Sequence, residues 1–160
     1  MHYFPLKPQL QRLYALRSTA EHMRWHYEHR REDDVLCHPL DGVAWKHFDN
    51  KYPDFASDSQ NVRLGLCADG FNPYTLSSRS YSIWPVVVKS YNLPPEMCII
   101  TPFTFLTCVI PGPKNPKNKI DVYLQSLIDE LKQLWDVGVE TYDISTGHIF
   151  QMKAALYVDH

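Results

Sequence analysis

The sequence predicts a mixed α/β domain of the α+β kind, with a three-stranded antiparallel meander, a helix and then a further strand. Three observations indicate this fold. Apolar residues alternate with period two at residues 62–67, two more β-rich segments follow at short intervals, and residues 120–135 carry a helical stripe of apolar side chains. Short connections favour antiparallel pairing of the three strands. A chain of 160 residues, 44% of them hydrophobic, can bury one ordinary core.

The composition argues against several classes of protein. No run approaches 18 consecutive apolar residues, so no membrane span is expected. The amino terminus lacks the basic-then-apolar layout of a signal peptide, which predicts an intracellular protein. The four cysteines, Cys37, Cys67, Cys98 and Cys108, form no C-x-x-C motif, and we expect the last three to be buried free thiols.

Charge is distributed unevenly along the chain. Residues 1–31 carry six Lys or Arg and two Glu, a net charge of +4, whereas residues 32–160 carry −6. A basic arm on an acidic body permits contact with DNA, although a short basic helix is more often a solvated face. The candidate DNA-binding cations are Lys7, Arg12, Arg17, Arg24, Arg30, Arg31, Lys114, Lys117 and Lys119.

The chain divides by prediction into a helical and loop-rich arm at residues 1–58 and a main domain at residues 59–160. Within the arm, residues 3–17 predict an extended entry and a short amphipathic turn or two, and residues 43–48 predict another helical turn or two. Aromatic side chains are expected to hold this part of the arm on the main domain: Trp45, Phe48, Tyr52 and Phe55.

A helix is predicted from about residue 19 to residue 32, because Ser18 and Glu21 have the spacing of a capping box. This helix would place three histidines on one face. Two histidines one turn apart can form half of a zinc site, but an exposed polar face is the preferred interpretation. The histidines are His22, His26 and His29.

The first strand of the meander ends at a carboxylate. Asp69 follows the alternating run and precedes Gly70, and the commoner interpretation of this dipeptide is a turn. The second interpretation is a metal ligand, since a carboxylate at the end of a rigid strand offers oxygen to a hard divalent cation. The residues alone favour the turn.

The second and third strands are predicted at residues 81–89 and 97–110. Pro85 lies inside the second of these segments and requires an edge position or a bulge. Residues 139–144 and 148–158 then predict a hairpin after the helix.

The predicted helix at residues 120–135 is the clearest element of the sequence, with Gly138 as the residue just beyond its end. Three of its acidic residues are candidate catalytic carboxylates: Asp121, Asp129 and Glu130. A solvated face is the preferred interpretation for them.

Several segments, in this order, resemble the transposase of plant CACTA (En/Spm-type) elements, and together they cover nearly the whole chain. The segments are residues 3–13, 23–26, 61–66 with 69–73, 82–87, 110–113, 120–124 with 127–131, and 138–143. The order of three strands, a helix and a strand, with an acidic residue after the first strand, also resembles the opening half of an RNase H-like fold.

The resemblance implies a DDE/D recombinase, in which three carboxylates hold two divalent metals, Mg²⁺ or Mn²⁺, for phosphodiester cleavage and strand transfer. It implies that Asp69 is the first metal carboxylate, that the partner is DNA at transposon ends, and that the protein is nuclear. The chain departs from the family pattern after residue 156. Asp159 lies a few residues earlier than the second acid, and the third acid has no counterpart.

Two expectations follow from this departure. One carboxylate cannot hold two metal ions, so we expect a catalytically incomplete fragment that binds no metal stably and does not cleave DNA alone. Residues 150–158 would form an apolar edge that pairs with a full-length transposase or with a second copy. The alternative function is a non-catalytic DNA- or protein-binding module derived from a transposase.

Overall fold

A computed structural model describes residues 2–29, 38–68, 70, 82–98, 103–112 and 119–157. Within these residues the protein is a mixed α/β structure with a five-stranded and a two-stranded sheet. The strands are β1 (His2–Tyr3), β2 (Val62–Ala68), β3 (Trp84–Ser90), β4 (Thr104–Ile110), β5 (Val139–Asp143), β6 (His148–Met152) and β7 (Ala154–Leu156). The α-helices are α1 (Leu6–Ala15), α2 (Arg17–Ala20), α3 (Trp25–Glu28), α4 (Val43–Lys51), α5 (Pro53–Ser57), α6 (Pro95–Cys98), α7 (Ile120–Tyr123) and α8 (Gln125–Asp136).

The five-stranded sheet has the order β1-β4-β3-β2-β7. β2, β3 and β4 form the predicted antiparallel meander, and β1 adds to it antiparallel to β4. A β-bulge between Val86 and Val87 follows Pro85, as the proline required. At the other edge β7 runs parallel to β2, with the Val62 amide donating to the Lys153 carbonyl at 2.8 Å.

Two predicted strands were too long. The segment predicted as one strand at residues 97–110 begins with α6 and becomes β4 only at Thr104, with residues 99–102 outside the described part. The predicted hairpin is present as β5 and β6, but its second arm stops at Met152. The chain then changes sheets at Lys153, because β7 pairs with β2 rather than with β5.

The amino-terminal segment contributes to the main sheet and core. β1 pairs with β4, and α1 is a ten-residue helix rather than the short turn predicted. Its buried residues lie one helical turn apart, which fits a helix with one face on a core. They are Leu6, Leu10, Leu13 and Tyr14. The division at residue 58 stays a prediction, with β1 and α1 sharing a sheet and a core with later residues.

The predicted continuous helix at residues 19–32 is wrong. α2 is followed by a 3₁₀ turn at Glu21–Arg24 and then by α3, and residues 30–32 lie outside the described part. The predicted capping box is also absent, since Leu16 stands at the N-cap of α2 without a side-chain cap bond. The Thr19 hydroxyl instead donates to the Leu13 carbonyl at 2.5 Å. Local hydrogen bonding of this kind competes with a continuous helix.

The first half of β2 is buried on both faces, whereas the alternating pattern predicted a strand with only one buried face. Val62 and Leu64 face the main core, while Arg63 on the opposite face is only 1% exposed. Gly65 on that face is covered by Tyr91, whose ring occupies the space that a Cβ at position 65 would need. Towards its end the strand emerges from this cover, so that Cys67 is exposed, contrary to expectation, whereas Cys98 and Cys108 are buried.

Arg63 joins β2 to the helices that cover this face. Its guanidinium forms an ion pair with Asp49 of α4 and lies over the rings of Trp45 and Phe55, at 4.6 and 5.4 Å from their centroids. Arginine suits this position because its planar cation can stack on an aromatic ring while pairing with a carboxylate. The predicted packing role of these aromatic residues is confirmed, since Trp45 and Phe55 are both buried.

Glu130 of α8 binds the beginning of α1. Its carboxylate accepts hydrogen bonds from the Leu6 amide at 2.9 Å, from the Lys7 amide and from the Tyr3 hydroxyl. A helix begins with unpaired N–H groups and a partial positive charge, so a carboxylate from elsewhere in the chain can cap it. Burial, followed by the hydrogen bond and charge of Glu130, raises the pKa of Tyr3 well above its usual range.

Replacing Asp49 by Asn is expected to lower the free energy of unfolding by about 3 kcal/mol, because it removes the carboxylate charge that pairs with the buried Arg63 cation. Urea denaturation measures this. The matched control is Asp54→Asn, an exposed carboxylate in the neighbouring helix α5, which should change stability by less than about 0.5 kcal/mol. Equal effects of the two variants would contradict a stabilising role for the pair.

The Glu130→Gln variant should lose about 1–2 kcal/mol of stability, since a neutral amide interacts less favourably with the start of α1. Its neighbour Asp129 is exposed and bonds only to Gln125 of its own helix among the described residues, so Asp129→Asn serves as the control. Thermal unfolding distinguishes the two variants. A loss in Asp129→Asn as large as in Glu130→Gln would refute the capping role.

Candidate functional site

The end of β2 is the predicted site, and the sheet gives it a defined position. β2 and β7 are parallel neighbours, so the residues that follow both strands emerge at the same edge of the sheet. β2 ends as a strand at Ala68, and Gly70 is the next described residue. Asp69 itself lies outside the described residues, so both the turn and the metal-ligand interpretation stay predictions.

The candidate carboxylates of the long helix do not form a site with one another. Glu130 is half-buried, and its carboxylate accepts hydrogen bonds from amides at the start of α1. The preferred interpretation, that Glu130 belongs to a solvated face, is therefore wrong. Asp129 is exposed and accepts a hydrogen bond from Gln125 at 2.8 Å. Asp121 is exposed in the separate four-residue helix α7, because the predicted helix breaks at Leu124.

Asp143 is a buried carboxylate that the sequence did not single out. Its two oxygens accept hydrogen bonds from the Gln60 side chain at 2.8 Å and from the Ser145 amide and hydroxyl at 2.8 and 2.6 Å. An Asp at the end of a strand commonly holds a turn in this way. The contacts satisfy both oxygens, so Asp143 fastens the β5–β6 turn and is not poised for catalysis.

The described histidines and acids do not assemble a metal centre. Among residues 2–29, 38–68, 70, 82–98, 103–112 and 119–157, no group of three or more His, Cys, Asp or Glu could hold a metal ion. The prediction that the three histidines lie on an exposed face is wrong for His26, which is only 1% exposed. The 3₁₀ turn changes the helical phase, so His22 and His26 do not share the predicted face.

The candidate DNA-binding cations occupy different environments. Arg12 and Arg17 are exposed, whereas Lys7 is half-buried and its ammonium donates to the Gln133 side chain. The Arg24 Nε lies 3.9 Å from the Glu28 carboxylate. Lys119 is exposed beside α7. The remaining cations lie outside the described residues: Arg30, Arg31, Lys114 and Lys117.

A buried Cys–His pair brings together residues far apart in the sequence. The Cys98 sulfur lies 3.7 Å from His38 Nε2, and both side chains are buried. Burial raises the pKa of the Cys98 thiol to about 12, whereas a nucleophilic cysteine requires a lowered pKa. The pair is therefore structural. The pair could not be predicted from the sequence, because its two residues are 60 positions apart and form no local motif.

His38 is held as a neutral imidazole. Its Nδ1 accepts a hydrogen bond from the Leu40 amide at 3.0 Å, and Nε2 lies 3.2 Å from the Leu93 carbonyl, to which it can donate. Burial lowers the pKa of His38, outweighing its bond to Leu93 and the charge of Asp41. Protonation of Nδ1 would remove the acceptor for Leu40, so the neutral form belongs to the folded protein.

A cavity of about 550 Å³ opens at the opposite end of β2. Tyr52 and Trp135 contribute to its wall, with ring centroids 5.1 Å apart. Asn61, just before β2, also lines it, whereas the strand runs about 20 Å from Val62 to its other end at Ala68, the residue before Asp69 in the sequence. The cavity is therefore separate from the predicted carboxylate site.

Residues 33–159 match the family model described as transposase family tnp2. The chain belongs to this transposase family. No curated protein and no solved structure matches the chain. Membership of a transposase family implies DNA binding in general. Within the described residues, no helix is both long and apolar enough to span a membrane.

The stability of the protein should fall when the pH is lowered from about 7 through the folded-state pKa of His38. Because this pKa is lowered, the unfolded state takes up the proton first, near pH 6.5, and acid favours unfolding. Urea midpoints at a series of pH values measure the effect. It should shrink in His38→Gln and persist in His47→Gln, which changes an exposed histidine. The same acid sensitivity in His38→Gln would contradict this assignment.

Proposed function

We propose that this chain is part of a CACTA-type DNA transposase and contributes Asp69 as the first metal carboxylate of an RNase H-like DDE/D domain. Membership of the tnp2 family supports the transposase assignment. The observation that carries the finer proposal is the order of the elements: the meander β2–β3–β4, then α8 and, after the separate β5–β6 hairpin, β7 beside β2. This order agrees with the opening half of the RNase H-like fold that the resemblance implies.

The parallel pairing of β2 and β7 favours a pair of carboxylates at the end of the sheet where both strands finish. Acids that follow β2 and β7 would lie towards the same end of the sheet, as a pair of metal-holding carboxylates requires. Asp69 follows β2 directly in the sequence. The counterpart after β7 remains open, because Asp159 lies outside the described residues and a few positions early for the family pattern.

The described carboxylates do not supply the missing ligands. Glu130 caps α1, Asp143 fastens a turn, and Asp129 bonds within its own helix. These residues do not fit a centre for two metal ions, so we assign no catalytic step to the chain alone. The proposal is that it is catalytically incomplete, and that Mg²⁺ or Mn²⁺ would be bound stably only with further acids.

The proposed partner is DNA at the transposon ends, in the nucleus. The exposed cations Arg12, Arg17 and Lys119 are available for phosphate contacts, with the cations at positions 30, 31, 114 and 117 as further candidates. Pairing with a full-length transposase, or with a second copy, is proposed at β7. Within the described residues β2 is the only strand beside it, so the other edge can accept a strand.

The alternative is a non-catalytic DNA-binding module. The net charge of +4 in residues 1–31 favours it, because charge alone can support binding without sequence readout. The two proposals differ in the role of Asp69. A binding module needs no carboxylate at that position, whereas the transposase proposal requires one.

The deciding experiment adds Mn²⁺ to ¹⁵N-labelled protein and follows the amide signals of Ala68 and Gly70. Transient contact of the ion with a single carboxylate suffices for paramagnetic broadening, without stable binding, so we expect selective broadening of both signals in the wild type and its loss in Asp69→Asn. The matched control is Asp129→Asn, in which the amide signals of Ala68 and Gly70 should broaden as in the wild type. Identical broadening in Asp69→Asn and the wild type would refute Asp69 as a ligand and leave the binding module.

Incubation with labelled duplex DNA and Mg²⁺ or Mn²⁺ tests the proposed incompleteness. We expect salt-dependent binding, with a log–log slope of a few units for so few cations, and no nicking. Metal-dependent nicking that disappears in Asp69→Asn would overturn the incompleteness. It would direct attention to Asp159, Asp121 and Glu130 as additional acids.

A further inference from the structure

The cavity at the start of β2 has aromatic walls that packing holds in place. The ring planes of Tyr52 and Trp135 are 83° apart, so the two side chains form a corner rather than a stack. The Phe48 ring lies 4.9 Å from that of Tyr52, between centroids. The Phe55 ring lies 5.2 Å from that of Trp135. These contacts exist within the chain itself, so the corner is formed before any ligand binds.

The charged residues of the cavity give it a small excess of negative charge. Three carboxylates line it, all of them exposed: Asp54, Asp58 and Asp136. Two lysines, Lys51 and Lys153, also line it, which leaves a net charge of −1. Within the part of the chain that the structure describes, no ion pair or hydrogen bond engages the carboxylate of Asp54 or of Asp136. These two carboxylates are therefore available to a cation from outside.

The protein binds a guanidinium of its own with the same combination of groups. Arg63 lies over the rings of Trp45 and Phe55, and its ion-pair partner is Asp49. The cavity likewise joins aromatic rings to carboxylates, and Phe55 belongs to both arrangements. A planar guanidinium suits such a site because it can stack on a ring and pair with a carboxylate at the same time.

Other ligands fit these groups less well. A phosphate would approach three carboxylates, which repel it. A lysine ammonium is more strongly hydrated than a guanidinium and forms no planar stack on a ring. The Lys51 ammonium already lies 5.4 Å from the centre of the Tyr52 ring, so this ring accepts a cation. Because Lys51 is exposed, an entering guanidinium can displace its ammonium at little cost.

We propose that this cavity binds an arginine side chain of a partner protein. The guanidinium would stack in the corner between Tyr52 and Trp135. It would pair there with the carboxylates of Asp54 and Asp136. The cavity exceeds the size of one side chain, so residues beside the arginine would also contact it. The inference does not depend on Asp69, because the cavity lies at the beginning of β2.

The test titrates ¹⁵N-labelled protein with the blocked tripeptide N-acetyl-Gly-Arg-Gly-amide. We expect the Trp135 indole N–H signal and the Asp136 amide signal to shift, with a dissociation constant of about 1 mM for a single anchoring side chain. The same peptide with citrulline, the uncharged isostere of arginine, should leave both signals in place. The peptide with lysine should bind more weakly than the arginine peptide.

Variants of the two available carboxylates identify the site. Asp54→Asn and Asp136→Asn should each weaken binding of the arginine peptide about fivefold, as expected for the loss of one exposed ion pair. The matched control is Asp129→Asn, which makes the same change in net charge on α8 but outside the cavity, and it should bind as the wild type does. Unchanged urea midpoints check that the exposed substitutions preserve the fold.

Four results would overturn the inference. The first is no shift of the Trp135 indole signal with the arginine peptide, and the second is equal binding of the citrulline peptide. The third is an equal loss of affinity in Asp129→Asn and Asp136→Asn. The fourth is tighter binding of free arginine than of the blocked peptide, which would assign the cavity to a small molecule.

A single-stranded oligothymidine, titrated under the same conditions, distinguishes a protein partner from nucleic acid. We expect it to leave the Trp135 indole signal in place, since the cavity is acidic overall. A shift of this signal that disappears in Lys153→Gln would assign the cavity to single-stranded DNA and refute the arginine site. Duplex binding elsewhere on the chain would leave the inference intact, because it would not move this signal.

Discussion

The ion pair between Arg63 and Asp49 is the constraint on which the layered structure depends. It places a cation inside the protein, and the cation is tolerated because a carboxylate pairs with it and two aromatic rings cover it. The pair attaches α4 to the second face of β2, so that the first half of this strand is covered on both faces. Around it, Trp45 and Tyr157 form a second small cluster, separate from the main core.

Much of the fold followed from local patterns in the sequence. The meander, the stripe of the long helix and the β5–β6 hairpin each depend on neighbours close in the chain, and Gly138 takes the left-handed conformation, with φ of 80°, that ends a helix. The predictions failed where contacts between residues far apart in the sequence determine the structure. α1 is stabilised by Glu130, 124 residues away from Leu6, and no local pattern announces such a cap.

The candidate site was predictable only through the resemblance. Composition and spacing left Asp69 as a turn, and the parallel pairing that brings β7 beside β2 could not be read from the short segment at residues 154–156.

The pairing of β7 with β2 also bears on the synthesis of this protein. Val62 pairs with Ala154, about 90 residues later in the chain, while the other neighbour of β2 follows within about 30 residues. On the ribosome, the meander can form long before β7 emerges, and until then β2 is an edge strand that is open to pairing with other nascent chains. Because that side closes only late in translation, β2 is exposed to wrong strand pairing for longer than β3.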